Sequence, residues 1–255
     1  MTMQIRSYGT TDVGRKRTNN EDAYAIRPDR GLYVVADGMG GHSSGEVAAQ
    51  LAVGEILAFF ENGTLSEDST WPYAYDETLS FAANKLLTAV ALANEKIQTY
   101  AAQHPESRGM GTTVVAVLVN GDRLVVGHVG DSRAYLHSRE TFRLLTHDHS
   151  WVGEQVRQGF LTEAEAVNHP FRNVITKALG TREQAQADLL DLTLEVGERL
   201  LLCSDGLNSM VRDEEIREVL DRGLDLEASC QALVALANER GGEDNVTVVM
   251  LERVG

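Results

Sequence analysis

Apolar positions recur at helical spacing in two long stretches of the first half of the chain. The first begins at a cap formed by Ser43 or Ser44 and continues to about Phe59. The second runs from about Asp76 to the helix-breaking pair His104-Pro105. Because intervals of three and four residues place side chains on one face of a helix, the pattern predicts two long amphipathic helices.

Short apolar runs bounded by turn residues predict strands in much of the remaining chain. The runs 111–119 and 123–129 flank Asn120-Gly121, which predicts a β-hairpin. The next runs, 134–137 and 141–145, are expected to continue this meander. Further apolar runs predict strands at 32–37, 189–194, 199–203 and 246–251, and helices at 213–220 and 226–240. Paired helices beside hairpin-linked strands indicate an α+β fold with antiparallel sheets.

Residues 150–179 show neither the long helical periodicity nor the short apolar runs that predict strands. They consist of short helical pieces, with a capping box at Thr162 to Glu165 and a break at His169-Pro170. The segment separates strands that end in aspartates, so we expect it to hang over the site that those aspartates form. No linker or repeat divides the chain, and one domain over residues 1–255 is expected.

Four aspartates lie where apolar runs begin or end: Asp37, Asp131, Asp205 and Asp244. Each stands beside Gly, Ser or Asn, so each by itself is explained equally well as a turn or cap residue. Turn chemistry gives no reason for aspartate at so many strand ends. Four neighbouring carboxylates raise one another's pKa unless cations separate them, and hard oxygen ligands suit Mg²⁺ or Mn²⁺. The sequence therefore predicts a metal site with more than one ion.

The loop from Asp37 to His42 is rich in glycine and joins a predicted strand to a predicted helix. It does not match a dinucleotide-binding G-x-G-x-x-G, because Ser43 stands at the last glycine, and no P-loop lysine follows. Upstream, Arg17 precedes Glu21 and Asp22. Arginine suits bidentate phosphate binding, although such a mixed charge run is more often a solvated face.

Nucleophilic mechanisms can be tested by spacing. Neither Cys203 nor Cys230 has the arginine six residues later that a cysteine phosphatase requires. Met39 stands where a haloacid-dehalogenase-type phosphatase needs its second aspartate, and a G-x-S-x-G serine elbow is absent. His147 and His149 have the spacing of a metal pair, but a structural role is the better interpretation. Metal-assisted hydrolysis is the reaction class that the sequence supports.

The amino-acid composition limits the classes of partner that the protein can bind and the compartment in which it is expected. The net charge of −15 opposes binding to a phosphate backbone and favours divalent cations. No apolar stretch approaches a membrane span, and the N-terminus has no signal-peptide pattern. Two cysteines, one in a predicted strand and one in a predicted helix, give no disulfide framework. We expect a cytoplasmic protein that binds neither nucleic acid nor membranes.

The motifs together closely resemble the metal-dependent serine/threonine protein phosphatases of type 2C, the PPM family, in their compact bacterial form. The resemblance extends from Gly9 to Leu251. Its motifs are 17–22, 35–42, 109–113, 129–133, 202–207 and 244–248. The family implies a four-layer α-β-β-α sandwich with two central antiparallel sheets and a variable flap, here about residues 150–180.

The resemblance also implies roles for the candidate residues. Asp37 would bridge two Mn²⁺ or Mg²⁺ ions, with the Gly38 carbonyl on one of them and Asp205 and Asp244 on the other. Asp131, with Asp205, would hold a third, weaker ion.

Four more positions match by resemblance. Arg17 would bind phosphate, while Glu21 and Asp22 would act through water. His42 would be a general acid for the leaving oxygen once a hydroxide bridging the ions attacks phosphorus.

The implied function is hydrolysis of phosphoserine and phosphothreonine in proteins, which would oppose a serine/threonine kinase. Two alternatives stay open: a non-catalytic module that binds phosphoproteins, and a metal phosphoesterase for small metabolites. The absence of added domains suggests a monomer. The sequence does not identify the substrate, the kinase or the preferred metal.

Overall fold

A computed structural model describes residues 3–41, 44–62, 71–167, 169–181 and 185–255. Within these ranges the strands are β1 (Ile5–Asp12), β2 (Asp22–Arg27), β3 (Leu32–Met39), β4 (Gly111–Thr112), β5 (Val114–Asn120), β6 (Arg123–Val129), β7 (Arg133–His137), β8 (Phe142–Leu144), β9 (Asp188–Leu192), β10 (Arg199–Cys203) and β11 (Val246–Arg253). The helices are α1 (Ser44–Asn62), α2 (Phe81–Gln103), α3 (Trp151–Arg157), α4 (Glu163–Val167), α5 (Asp205–Asn208), α6 (Asp213–Leu220) and α7 (Leu226–Glu239).

The strands form two antiparallel sheets. One sheet has the order β1-β11-β10-β7-β8, and the other has the order β2-β3-β5-β6-β9 with β4 paired to β3. Every strand pair in both sheets is antiparallel. The order of strands along the chain does not follow their order in the sheets, so neighbours in space are drawn from distant stretches of sequence.

Three apolar cores separate four layers. One core lies between α1 and α2 and the β2-containing sheet, one lies between the two sheets, and one lies between the β1-containing sheet and α5, α6 and α7. Side chains alternate along a strand. Accordingly, Val34 and Ala36 of β3 face the helices, while Tyr33 and Val35 face the other sheet. The predicted α+β, four-layer α-β-β-α architecture is confirmed.

Both long helices form, but α2 begins later than predicted. The sequence pattern placed its start near Asp76, whereas the helix starts at Phe81. The Asp76 carboxylate accepts hydrogen bonds from the amide and hydroxyl of Thr78 and so forms a turn. Ser80, in extended conformation, then caps the helix by accepting from the Ala83 amide at 3.1 Å. The start of α2 is therefore set by the local turn that the Asp76 side chain makes, and not by the apolar periodicity that includes Leu79.

The predicted hairpin is confirmed, but the meander beyond it is not. Strands β5 and β6 pair with Asn120 opposite Arg123, so Gly121-Asp122 forms the tight turn. The next strand, β7, does not extend this sheet; it pairs with β10 in the other one. The chain changes sheet over residues 130–132, where Gly130 has φ of +105°. The sheet change leaves Asp131 at a crossing between the two layers.

In the second half of the chain, the observed elements agree closely with the predicted ones. Strand β10 and helix α6 have the predicted bounds, and Thr162 and Glu165 form the predicted reciprocal cap. Strands β1 and β2 and the short helix α5 were not predicted. Most residues of β1 and β2 are only half-buried, so they lack a strong apolar pattern. Among the described residues, none of the helices has both the length and the apolar character needed to cross a membrane.

Candidate metal centre

Strand β3 carries Asp37 and Gly38 to the edge of the two sheets. The Asp37 carbonyl accepts from the Thr113 amide at 2.9 Å and from the Thr112 hydroxyl at 2.8 Å. The Gly38 amide donates to the Glu21 carbonyl at 3.1 Å. A side chain at Gly38 would collide with the carbonyl oxygen of Gly45 in α1, so only glycine permits this close approach of strand and helix.

Asp22 lies directly opposite Asp37 in the β2–β3 pair and belongs to a buried polar cluster. One carboxylate oxygen of Asp22 accepts from the Ser204 hydroxyl at 2.7 Å and from the Thr247 hydroxyl at 2.6 Å. The other oxygen, Oδ1, is buried and has no hydrogen-bond partner. Burial is the main reason that the pKa of Asp22 rises to about 7. An unpaired buried carboxylate oxygen is costly, and a cation or water held by a cation would satisfy it.

Asp205 and Asp244 enter from the other sheet. Asp205 begins α5 immediately after β10, and Asp244 precedes β11. Asp244 Oδ1 accepts from the Asn245 amide at 2.9 Å. Asn245 also accepts from the Glu21 amide at 2.7 Å and donates to the carbonyl of Asn19. The side chain of Asn245 thus ties the segment that contains Arg17, Glu21 and Asp22 to the start of β11.

Asp131 lies in the turn between β6 and β7 and is buried, with 8% of its surface exposed. The hydroxyl of the next residue, Ser132, is 2.6 Å from that of Thr113. Since the Thr113 hydroxyl also accepts from the Asp37 amide, one short chain of hydrogen bonds joins the Asp37 and Asp131 loops.

The four predicted aspartates meet in one pocket, and their charges repel. Burial raises the pKa of Asp37 well above its usual range, and the neighbouring carboxylates of Asp22, Asp205, Asp131 and Asp244 raise it further. Burial and the charges of Asp205 and Asp148 raise the pKa of Asp131 to about 8. Burial and the charge of Asp244 raise the pKa of Asp205. The folded chain therefore holds together a group of acids that would all ionise near neutral pH only if positive charge were added.

The donor set fits hard divalent cations. The pocket gathers carboxylate oxygens from β2, β3, the β6–β7 turn, the start of α5 and Asp244, two residues before β11. Oxygen ligands of this kind suit Mg²⁺ and Mn²⁺ and do not suit a thiolate-preferring metal. The unpaired Asp22 Oδ1 and the raised pKa of Asp37 show that the residues of this pocket fit a bound cation, which would both pair with the free oxygen and offset the repulsion.

Arg17 faces this pocket. Its Nη2 lies 2.7 Å from Asp244 Oδ2, and about half of its side chain is exposed. The charges of Asp244, Glu21 and Asp37 raise the pKa of Arg17 against the effect of burial. Burial is the main cause of the raised pKa of Glu21. His42, the predicted general acid, lies outside the described residues.

A second group of possible ligands went unrecognised in the sequence. His128, His149 and Asp188 come from three separate stretches, and one ligand atom of each lies within 4.8 Å of the others. His149 was interpreted as structural because no partner was near it in the sequence. The partners come from β6 and β9, and only the pairing of those strands brings them together.

Residues 11–240 match the family model described as Protein phosphatase 2C. The chain is 36% identical over 250 residues to "Serine/threonine phosphatase stp" of Listeria monocytogenes, covering 95% of this chain and 94% of that protein.

Solved structures agree with this match. The serine/threonine phosphatase Stp1 from Staphylococcus aureus superposes with a TM-score of 0.89 at 36% identity, covering 100% of this chain and 97% of that one. The catalytic domain of PstP, solved with two manganese ions, has a TM-score of 0.84 at 36% identity and covers 98% of this chain and 99% of its own. The family match covers most of the chain, and the fold and the acidic pocket agree with it.

This chain belongs to the protein phosphatase 2C family of metal-dependent serine/threonine phosphatases. It is an enzyme, and its class of activity is that of a protein phosphatase.

Proposed function

We propose that the chain hydrolyses phosphoserine and phosphothreonine in other proteins at the acidic pocket. The observation that supports this most is the convergence of Asp37, Asp131, Asp205 and Asp244 from four separated strand ends. Burial and then the neighbouring carboxylates raise the pKa of the first three. A pocket that stores repelling carboxylates without function would be a net cost to stability. Proteins of similar sequence that are named serine/threonine phosphatases support the substrate class.

In this proposal Asp37 and the Gly38 carbonyl face two core ions, Mn²⁺ or Mg²⁺, with Asp205 and Asp244. The two manganese ions of PstP support that number. When bound, the ions activate a water as the nucleophile and neutralise charge on the phosphate. Asp131, with Asp205, would hold a third and weaker ion. Glu21 and Asp22 hold water around the ions, and the Ser204 and Thr247 hydroxyls keep Asp22 in place.

Arg17 binds the phosphate of the substrate. Its guanidinium contacts Asp244 through a single nitrogen, which leaves the rest of its planar donor face for phosphate oxygens. His42, placed by the sequence between the Asp37 loop and α1, donates a proton to the leaving serine or threonine oxygen. The protein acts as one domain and as a monomer in the cytoplasm, on phosphoproteins made by an opposing kinase, and does not bind nucleic acid.

Purified protein tests the proposal directly. With Mn²⁺ it is expected to release phosphate from phosphoserine and phosphothreonine peptides, and chelator should abolish the release. Phosphorylated metabolites serve as the comparison substrates and should react much more slowly. Equal rates with and without chelator would refute the metal mechanism, faster metabolite hydrolysis would refute the substrate class, and tight peptide capture without release would indicate a binding module.

A further inference from the structure

One histidine holds the peptide unit that leads into Asp131. The Gly130 amide donates to His149 Nδ1 at 3.0 Å, and the His149 amide donates to the Gly130 carbonyl at 3.0 Å. Gly130 has φ of +105°, and a side chain there would press on Thr113. Since a glycine in this conformation is otherwise free to move, the contacts from His149 fix where Asp131 begins.

The hydrogen bonds also define the state of the ring. Nδ1 accepts from an amide, so the neutral ring carries its proton on Nε2. Nε2 lies 3.3 Å from Asp188 Oδ2, and Asp188 Oδ1 accepts from Lys177 Nζ at 2.9 Å. Burial lowers the pKa of His149, which favours the neutral ring that this arrangement requires. A chain of contacts therefore runs from Lys177 through Asp188 and His149 to the backbone of Gly130.

A metal ion is a poorer explanation for the same residues. The rings of His128 and His149 are stacked, with centroids 4.7 Å apart and planes 16° from parallel. Lone pairs in two stacked ring planes run side by side and do not converge on one ion. An ion on His149 Nε2 would also move the ring proton to Nδ1, where it would face the Gly130 amide hydrogen. In addition, Lys177 already neutralises Asp188.

We propose that His149 is a positioning residue for the Asp131 carboxylate, acting through the Gly130 amide. It also connects Asp131 to the flap segment, because the Thr176 amide donates to the His149 carbonyl at 2.8 Å. The part of this inference that concerns metal affinity rests on the proposed role of Asp131 toward the third ion. The part that concerns the backbone does not.

Two substitutions of His149 test the roles of its two ring nitrogens separately. In His149→Asn, an amide oxygen occupies the position of Nδ1 and still accepts from Gly130, but the contact with Asp188 is lost. In His149→Gln, the amide reaches the position of Nε2 and can donate to Asp188, but nothing accepts from Gly130. Both variants lose the ring and its stacking on His128, so an effect of packing alone would be the same in both.

The first measurement is hydrogen exchange at the Gly130 amide. We expect exchange to accelerate about 10-fold in His149→Gln and to stay near the wild-type rate in His149→Asn. The second measurement is calorimetric titration of Mn²⁺ after the tight sites are filled. Loss of a partner outside the ligand shell typically weakens metal affinity 10–100-fold. We therefore expect weak-site affinity to fall about 10-fold in His149→Gln and less than about 3-fold in His149→Asn, with tight-site affinity unchanged in both.

His137→Asn is the matched control. His137 is a buried histidine of β7 that pairs with Asp221 at 2.8 Å, and its loss should lower the melting temperature without changing either measurement. Equal changes in the Asn and Gln variants would overturn the positioning role. Asp131→Asn separates this inference from the proposed function. If that change leaves the weak-site titration unaltered, Asp131 is not the ligand and the metal part of the inference fails, while the exchange result still decides the backbone part.

Discussion

Two polar clusters lie on either side of Ser132 and differ in how their charges are balanced. The cluster around Asp131 contains uncompensated negative charge, whereas the cluster around Arg133 contains charges of both signs. Asp131 faces other carboxylates, and its pKa rises to about 8. Arg133, two residues later, makes a bidentate ion pair with Asp148 at 2.9 and 2.7 Å and also donates to the Tyr135 hydroxyl at 3.0 Å. Asp131, Arg133 and Asp148 are all largely shielded from solvent, but only the second cluster supplies its own countercharge.

The difference separates a site from a structural element. The Arg133 cluster is complete as folded, since donors and acceptors match and the Tyr135 hydroxyl donates a hydrogen bond to Asp213 Oδ1 at 2.9 Å. The Asp131 cluster is incomplete, because its repulsion needs cations from solution. An uncompensated cluster on a rigid scaffold indicates function more strongly than burial or charge taken alone.

The largest expected effect is on the incomplete cluster. Asp205→Asn should lower kcat with Mn²⁺ at least about 100-fold, because a direct ligand matters more than the outer partners whose loss costs 10–100-fold. The same change removes one repelling charge, so the melting temperature in chelator should stay equal or rise. Asp191→Asn, on an exposed position of β9, is the control and should change neither value. Near-normal turnover of Asp205→Asn would place the metal ligands elsewhere.

The complete cluster should respond in the opposite way. Asp148→Ala removes the bidentate partner of the Arg133 guanidinium, whose side chain is 21% exposed, and leaves only the longer ion pair with Asp213 at 3.6 Å. Breaking a buried pair from one side costs about 3 kcal/mol or more of unfolding free energy. Denaturant unfolding in chelator measures this loss. A change below about 1 kcal/mol would mean that the two clusters do not differ as described.

A third prediction concerns pH in the absence of metal. The folded pKa values of Asp22, about 7, and Asp131, about 8, lie above the value of about 3.9 in the unfolded chain. Groups with raised pKa stabilise the fold fully below the unfolded value and lose that contribution as pH rises through the folded value. Unfolding free energy in chelator should therefore fall by on the order of 2 kcal/mol between about pH 6.5 and about pH 8.5.

Two comparisons test which groups cause the slope of unfolding free energy against pH. The residue introduced by Asp131→Asn cannot ionise, so this variant should keep only the smaller part of the slope that comes from Asp22, and saturating Mn²⁺ should remove the slope. The lowered pKa values of His128 and His149 act in the other direction, but only below about pH 6.5, where these groups begin to take up protons in the unfolded chain. A slope of the same size in Asp131→Asn and in the wild type would contradict the assignment.

The smallest effect is expected for a balanced pair at the surface. Arg217 of α6 and Asp221, the residue after the helix ends, form an ion pair four residues apart, and both side chains are close to half exposed. Arg217→Ala should change the unfolding free energy by roughly 0.5 kcal/mol or less, because solvent screens exposed pairs. Unfolding in urea measures it. A loss as large as that of Asp148→Ala would show that burial is not what separates these pairs.

Local chemistry in the sequence predicted much of this protein. The hairpin after β5, the cap at Thr162 and the bounds of α6 follow from short-range rules on turns and capping. The four aspartates could be identified as a set because each follows or precedes an apolar run, which places it at a strand end. The start of α2 was wrong because the Asp76 turn and the Ser80 cap were not recognised as competing with the apolar repeat.

Tertiary structure decided what long-range pairing controls. Strand β7 pairs with β10 instead of β6, and strand β9 brings Asp188 beside His128 and His149. Neither of these strand pairings can be predicted from the local apolar pattern, because the pattern shows which residues are buried and not which strand lies beside them. The sequence by itself determined the type of most elements, though not of β1, β2 and α5, and it identified the acids at the strand ends. Only the folded arrangement of the sheets decided which charges meet without compensation and which are neutralised, since charge interactions depend on distance in space and on burial.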